Sequence, residues 1–162
     1  MPDTELQPRQ TPIAQGEPAP DFSLTDQERE EWTLSDAVRK GDVVLCFYPM
    51  DFSPVCNSEM HCVTDDLARW QAKGATVVGI SCDSFFVHAA WAQAEGFEQT
   101  LLADMRREVC KAYGFYFEPL NVASRGTVVI CQSDDGKGTV KWVQAREIKD
   151  AMDLNEVIAQ IS

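Results

Sequence analysis

Two short apolar runs constrain this chain most. Val43-Val44-Leu45-Cys46-Phe47-Tyr48 is continuously apolar, and Thr76-Val77-Val78-Gly79-Ile80 repeats the pattern further on. A strand with one wet face alternates apolar and polar residues, whereas an unbroken run belongs to a strand covered on both faces. Between the two runs, Cys56, Met60, Val63, Leu67 and Trp70 recur at helical spacing, and Gly74 ends the segment. Strand, helix, strand is therefore the opening unit of the core. A helix from Phe85 to Ala94 closing at Gly96, a short strand Thr100-Leu101-Leu102, and a helix from Arg106 to Tyr113 ended by Gly114 continue it.

The flanks extend this pattern. Phe22-Ser23-Leu24 and Trp32-Thr33-Leu34 alternate about the charged stretch Asp26 to Glu31 and predict an N-terminal β-hairpin. Ser35 is placed to cap a short helix ending at Gly41. Gly126 to Cys131 and Thr139 to Val143 predict two strands joined by the turn Asp134-Asp135-Gly136-Lys137-Gly138, and residues 152–161 a final amphipathic helix. The order implies an α/β fold: a mixed central sheet with helices on both faces, of the thioredoxin-like kind. Pro2, Pro8, Pro12, Pro18 and Pro20 crowd the polar start. Residues 1–15 are expected to form a flexible leader and 16–162 a single domain.

At 162 residues the chain suffices for one domain with a core of its own. Fourteen basic against 26 acidic residues leave a net charge of −12, which repels phosphate backbones and argues against nucleic-acid binding. No apolar run approaches the roughly 18 residues of a membrane span, and MPDTELQPRQ is too polar for a secretory signal. The six cysteines, Cys46, Cys56, Cys62, Cys82, Cys110 and Cys131, form no Cys-x-x-Cys pair. His61-Cys62 beside Cys56 fits no metal-ligand spacing, so neither metal nor cofactor is expected. Reduced thiols without an export signal imply a cytoplasmic location. Cys46, Cys82, Cys110 and Cys131 read as core residues.

One segment carries chemistry. In Tyr48-Pro49-Met50-Asp51-Phe52-Ser53-Pro54-Val55-Cys56 a buried strand ends in proline, a short loop follows, and a helix begins with Ser at the cap and Pro at its first position. Cys56 falls in the first turn, where unpaired backbone N–H groups and the helix dipole favour the nucleophilic thiolate. A cysteine packed beneath the helix is the plainer reading of the same residue. Tyr48, Phe52 and Trp91 are expected in the core or pocket wall, and His61 and His88 at the surface or in packing.

The pattern Pro49-x-x-x-Ser53-x-x-Cys56 resembles the active-site motif of the peroxiredoxins, the AhpC/TSA family. Ala19-Pro20-Asp21-Phe22, Phe47-Tyr48-Pro49-Met50-Asp51-Phe52, Gly79-Ile80-Ser81-Cys82-Asp83-Ser84, Tyr113-Gly114 and Ser124-Arg125-Gly126-Thr127-Val128-Val129-Ile130 are similar to further segments of that family, in order. The resemblance implies a thiol-dependent peroxidase in which Cys56 is oxidised by peroxide to a sulfenic acid. It implies that Arg125 stabilises the thiolate and the developing charge, that Ser53 hydrogen-bonds the peroxide, that Pro49 shields the sulfur, and that Glu59 orients Arg125. Ser53 as a pure cap and Glu59 as a first-turn carboxylate suited to the helix dipole are the alternatives.

Within the family, the absence of a cysteine beyond Cys131 sets the chain apart from members with a resolving cysteine in a C-terminal tail, and the bacterioferritin-comigratory position five residues after Cys56 is His61. The features are most similar to the AhpE-like one-cysteine group. Hydrogen peroxide and organic hydroperoxides are then the substrates, and an external thiol or a thioredoxin- or glutaredoxin-like protein the reductant. An atypical Cys56–Cys62 disulfide is the alternative mechanism. It requires the helix to unwind, since six residues rise ~9 Å and disulfides want Cα atoms within about 7 Å. A non-enzymatic redox sensor or chaperone on the same fold is the reading from another class. A homodimer is the expected assembly.

Overall fold

The structure, a computed structural model, describes residues 5–161. Strands β1 (Ser23–Asp26) and β2 (Glu31–Thr33) form the N-terminal hairpin, followed by helix α1 (Leu34–Val38) and strand β3 (Val43–Phe47). Helices α2 (Pro54–Asp65) and α3 (Leu67–Ala72) lead to β4 (Thr76–Ser81), α4 (Phe85–Glu95), β5 (Thr100–Ala103) and α5 (Glu108–Tyr113). A small hairpin of β6 (Tyr116–Phe117) and β7 (Val122–Ala123) precedes β8 (Arg125–Gln132), β9 (Gly138–Arg146) and α6 (Leu154–Ile158). Seven strands make one sheet in the order β2-β1-β5-β4-β3-β8-β9, with β3, β4 and β5 parallel and the other pairings antiparallel. This is the mixed sheet the apolar runs required.

Alternation along β3 divides the interior into two layers, because successive side chains of a strand point to opposite faces. Val43, Leu45 and Phe47 pack with residues of α1 and α5, among them Leu34, Val38, Val109 and Tyr113. Val44, Cys46 and Tyr48 pack with Cys56, Met60 and Val63 of α2, Trp91 of α4 and Val157 of α6. All six β3 and adjoining side chains are fully buried, which is why the run contains no polar residue. On the first face Phe115 stacks on Phe47 with centroids 5.1 Å apart. Its ring occupies the space a Cβ on residue 126 would need, 2.0 Å from the nearest ring carbon, so the residue beside Arg125 is glycine.

Several expectations need correction. The leader is docked where it is described: Arg9 and Ile13 N–H groups donate to the Lys111 and Tyr113 carbonyls, Gly16 N–H donates to Val140, and Ile13 is buried. Two apolar anchors, Ile13 and the partly buried Leu6, and a strand-like run of backbone bonds hold it, and neither leaves a periodic signal. Residues 1–4 of that expected leader lie outside the described residues. Gly114 (φ 78°) lets the chain pass here, since a Cβ would meet the Thr11 carbonyl. Ser35 does not cap α1; its N–H lies inside the helix and donates to Asp21, and Thr33 holds the cap position. Helix α5 starts two residues late, after Arg107 in the left-handed region. Strand β9 runs three residues past Val143, to Arg146. Helix α6 is shorter than 152–161, with Asp153 accepting from Asn155 and Glu156 N–H.

Candidate active site

Strand β3 delivers the chain to a loop, Tyr48 to Ser53, that turns into α2. Ser53 sits at the cap position and Pro54 at the first helical residue, as the residue types dictate. The cap itself differs from the expectation. The Ser53 hydroxyl donates to the Met50 carbonyl at 2.9 Å and leaves the helix N–H groups alone. A serine spends its one proton there, tying the loop to its own end, and keeps its lone pairs for another donor. Phe52 adopts a left-handed backbone (φ 66°), a conformation that costs a non-glycine residue about 1–2 kcal/mol. Its ring is half exposed rather than in the core, and it packs against Trp91.

Beneath the loop lies a polar cluster that no local pattern announced. The Tyr48 hydroxyl donates to Asp51 at 2.7 Å, and the other Asp51 oxygen faces His88 Nδ1. His88 Nε2 donates to the Leu102 carbonyl, which leaves Nδ1 turned to Asp51. Asp51 N–H donates to Asp83, which also accepts from Ser81. His88 is thus fully buried and hydrogen-bonded, not at the surface. Burial pushes the Asp51 carboxyl up and the Tyr48 phenol well up. These bonds join the loop, β4, β5 and α4, and hold the strained loop in one shape. His61, by contrast, is half exposed and pairs with Glu95 at 2.7 Å.

Cys56, one turn into α2, is fully buried. Arg125, from the start of β8, donates from Nη2 to its Sγ at 3.0 Å. The same guanidinium donates from Nη1 to Glu59 Oε1 at 3.0 Å and from Nε to the Ile148 carbonyl at 2.9 Å. Glu59 lies one helical turn beyond Cys56. Its second oxygen accepts from Met152 N–H at 2.7 Å and faces Arg146 at 3.6 Å. One buried carboxylate therefore sits between two buried arginines, and Arg125 is locked at three of its donors. Arg146 was not foreseen. It stands opposite Arg125 in the β8–β9 register, which only the pairing reveals. Its burial lowers its affinity for a proton.

A cleft of about 450 Å³ opens above, walled by Pro49, Met50, Val55, Phe117 and Ile148, and reaches Ser53 and Arg125. Cys56, Arg125, Glu59, Ser53 and Pro49 are thereby brought to one place. Cys62 is not: it is exposed further along α2. Of the cysteines expected in the core, Cys46 and Cys110 are buried, while Cys82 and Cys131 are only half-buried. Burial pushes the Cys46 thiol well up.

A thioredoxin-like sheet that presents a helix-start cysteine to a fixed guanidinium is the layout of a thiol-based oxidoreductase. The AhpC/TSA family model matches residues 15–143. Peroxiredoxin-2 of Bos taurus is 35% identical over 153 residues, covering 88% of this chain and 74% of its own. A chloroplastic 2-cysteine peroxiredoxin of Chattonella marina is 31% identical over 156 residues, 90% of this chain and 77% of the other. Among solved structures, peroxidoxin BcpB of Mycobacterium tuberculosis is similar with a TM-score of 0.81 and 27% identity, covering 91% of this chain and 96% of that one. The reduced 2-Cys peroxiredoxin of Plasmodium vivax has a TM-score of 0.80 at 27% identity, over 91% and 79%. The chain belongs to the AhpC/TSA family of peroxiredoxins and is a thiol-dependent peroxidase, an enzyme that reduces peroxides with electrons from thiols. No helix among the described residues is long and apolar enough to cross a membrane.

Proposed function

We propose that Cys56 is the peroxidatic cysteine and that the enzyme works by a one-cysteine mechanism. The Arg125 contact to its sulfur is the observation that carries this reading. The Cys56 thiolate attacks the terminal peroxide oxygen, the O–O bond breaks, and the alcohol or water leaves with a proton. Two electrons pass from sulfur to oxygen, and Cys56 becomes a sulfenic acid. Arg125 bonds the anionic sulfur and, in the transition state, the oxygen leaving beside it. Held by Glu59 and Ile148, it needs no rearrangement to do so. Glu59 is the positioning residue for Arg125. Ser53, its proton committed to Met50, accepts from the peroxide O–H. Pro49 walls the sulfur from water.

An external thiol then attacks the sulfenic sulfur and expels water. A second thiol, or a thioredoxin- or glutaredoxin-like protein, reduces the mixed disulfide. Two features support this over an internal resolving cysteine. Cys62 is exposed while Cys56 is buried, and α2 is an unbroken helix from Pro54 to Asp65 between and beyond them. Six helical residues separate the two by ~9 Å of rise, more than a disulfide spans unless the first turns unwind. These features support an assignment to the AhpE-like one-cysteine group. The apolar cleft walls support organic hydroperoxides as substrates beside hydrogen peroxide. Exposed Met50 and Phe52 on the loop and Phe86 and Val87 on α4 support a homodimer through that side. Six free thiols support a reducing compartment, the cytoplasm.

The test is intact mass after one equivalent of hydrogen peroxide, with and without a sulfenic-acid trap. A trappable gain of one oxygen, absent from Cys56→Ser, is expected. Loss of two hydrogens with a Cys56–Cys62 peptide after digestion would replace the one-cysteine mechanism by the disulfide one.

A further inference from the structure

The other face of the sheet holds a second pair of sulfurs. Cys82 is the first residue after β4 and continues the side-chain row of Val78 and Ile80 into the layer built on α1 and α5. Cys110, the third residue of α5, faces it from that helix with the two Sγ atoms 3.9 Å apart. Both thiols are free, Cys110 buried and Cys82 partly open to solvent. Cys56 belongs to the opposite layer, with α2, α4 and α6, so the sheet stands between the two centres.

We propose that Cys82 and Cys110 form a second redox centre, a dithiol that hydroperoxides oxidise to an intramolecular disulfide independently of Cys56. The sulfurs are already in contact across elements that the sheet and Asp104 fix in place. Asp104 anchors the start of α5 by accepting from Val109 and Cys110 N–H at 3.2 and 2.8 Å. Exposure makes Cys82 the sulfur that meets the oxidant. The hydrogen bond shared by the two thiols holds Cys82 below the ordinary thiol range, and the same bond together with burial pushes Cys110 up. The attacking and resolving roles are divided accordingly.

In the first step the Cys82 thiolate attacks a peroxide oxygen, the O–O bond breaks, and water or an alcohol leaves with the Cys82 proton. In the second, the Cys110 sulfur attacks the Cys82 sulfenic acid, the S–O bond breaks, and the hydroxyl leaves as water with the Cys110 proton. Two thiols and one hydroperoxide yield one disulfide, one alcohol or water, and one further water. Two electrons pass from the sulfur pair to the peroxide, and a small dithiol returns them. Asp104 comes within 4.8 Å of both sulfurs, so the trio also has the makings of a three-ligand metal site. Both of its oxygens, however, already accept backbone N–H bonds, which favours the disulfide.

The experiment uses the full chain as Cys56→Ser, so that failure of the peroxidatic assignment leaves the result intact. The variant is purified without chelator, treated with excess hydrogen peroxide, denatured and alkylated. Alkylatable thiols are expected to fall from five to three, with loss of two hydrogens from the intact mass and a Cys82–Cys110 peptide after digestion. Cys56→Ser/Cys82→Ser is expected to lose no thiols in pairs and to give no such peptide; its change lies at a partly exposed residue and keeps α5 untouched. Retention of all five thiols overturns the proposal. So does oxygen gain at Cys82 without the cross-link. Stoichiometric zinc in the purified protein that disappears with Cys82→Ser overturns it in favour of a metal site.

Discussion

The sulfurs on the two faces of the sheet differ in what lies against them. Cys56 is fully buried, and its polar neighbour is a guanidinium brought from a strand 69 residues away and held by a carboxylate and a carbonyl. Cys82 is partly exposed, and its neighbour is a second sulfur. In the proposed mechanism the sulfur against a fixed cation is prepared for attack and is resolved by an outside thiol. A thiolate against a thiol is prepared to close on itself. The same element chemistry thus yields two reactivities, separated by the alternation of side chains across one sheet.

The sharpest way to break the comparison is to remove each nucleophile. Cys56→Ser is expected to abolish steady-state peroxide reduction with an external thiol, whereas Cys82→Ser leaves the rate within about twofold, as a half-buried change distant from the cleft should. A coupled peroxide-consumption assay reads both. Next in size is the cation. Arg125→Lys keeps the charge but loses the fork that bonds Cys56 and Glu59 together, and kcat/KM for hydrogen peroxide is expected to fall about 10²- to 10³-fold. Stopped-flow Trp fluorescence or product formation measures it. A wild-type rate would remove Arg125 from the account.

The supporting carboxylates sharpen the contrast further. Glu59 lies between two guanidiniums, so Glu59→Gln removes the carboxylate that both face. Urea unfolding is expected to show a loss of about 3–5 kcal/mol. Asp104, beside the dithiol, accepts from the Val109 and Cys110 N–H groups, and burial raises its pKa. Its folded value lies above its unfolded one, so its stabilising share is full below the ordinary carboxyl value of about 3.9 and is lost as pH rises through the raised value. The melting temperature of wild type relative to Asp104→Asn is therefore expected to decline as pH is raised through the raised Asp104 value. A difference that grows with pH would reverse the assigned cause.

What the sequence disclosed and what it hid follow one rule. Chemistry written into adjacent residues was legible: the apolar runs of β3 and β4, the Ser53-Pro54 helix start, the glycines that close α4 and α5, and the segment around Cys56. Arg125 was legible because neighbouring residues carried a family motif. Arg146 was not, for it reaches Glu59 only through the register that sets it opposite Arg125. The Tyr48–Asp51–His88 cluster is drawn from a loop and a helix 37 residues apart, and a lone histidine on an apolar helix says nothing of its partners. The Cys82–Cys110 pair was read as two core residues because 28 positions separate them and only the fold closes the gap. Even for Ser53 the cap position was legible while the cap bond offered as its alternative role is not made, since position is local and the choice of acceptor is not.

On the proposed mechanism the guanidinium, not exposure, decides which of the six thiols reacts with peroxide first. Peroxide-limited oxidation of the wild-type protein, quenched within milliseconds and mapped cysteine by cysteine, tests it most directly. Oxygen is expected first on buried Cys56, before exposed Cys62 and half-buried Cys82. Oxidation that begins at Cys62 or Cys82 while Cys56 stays reduced would contradict it.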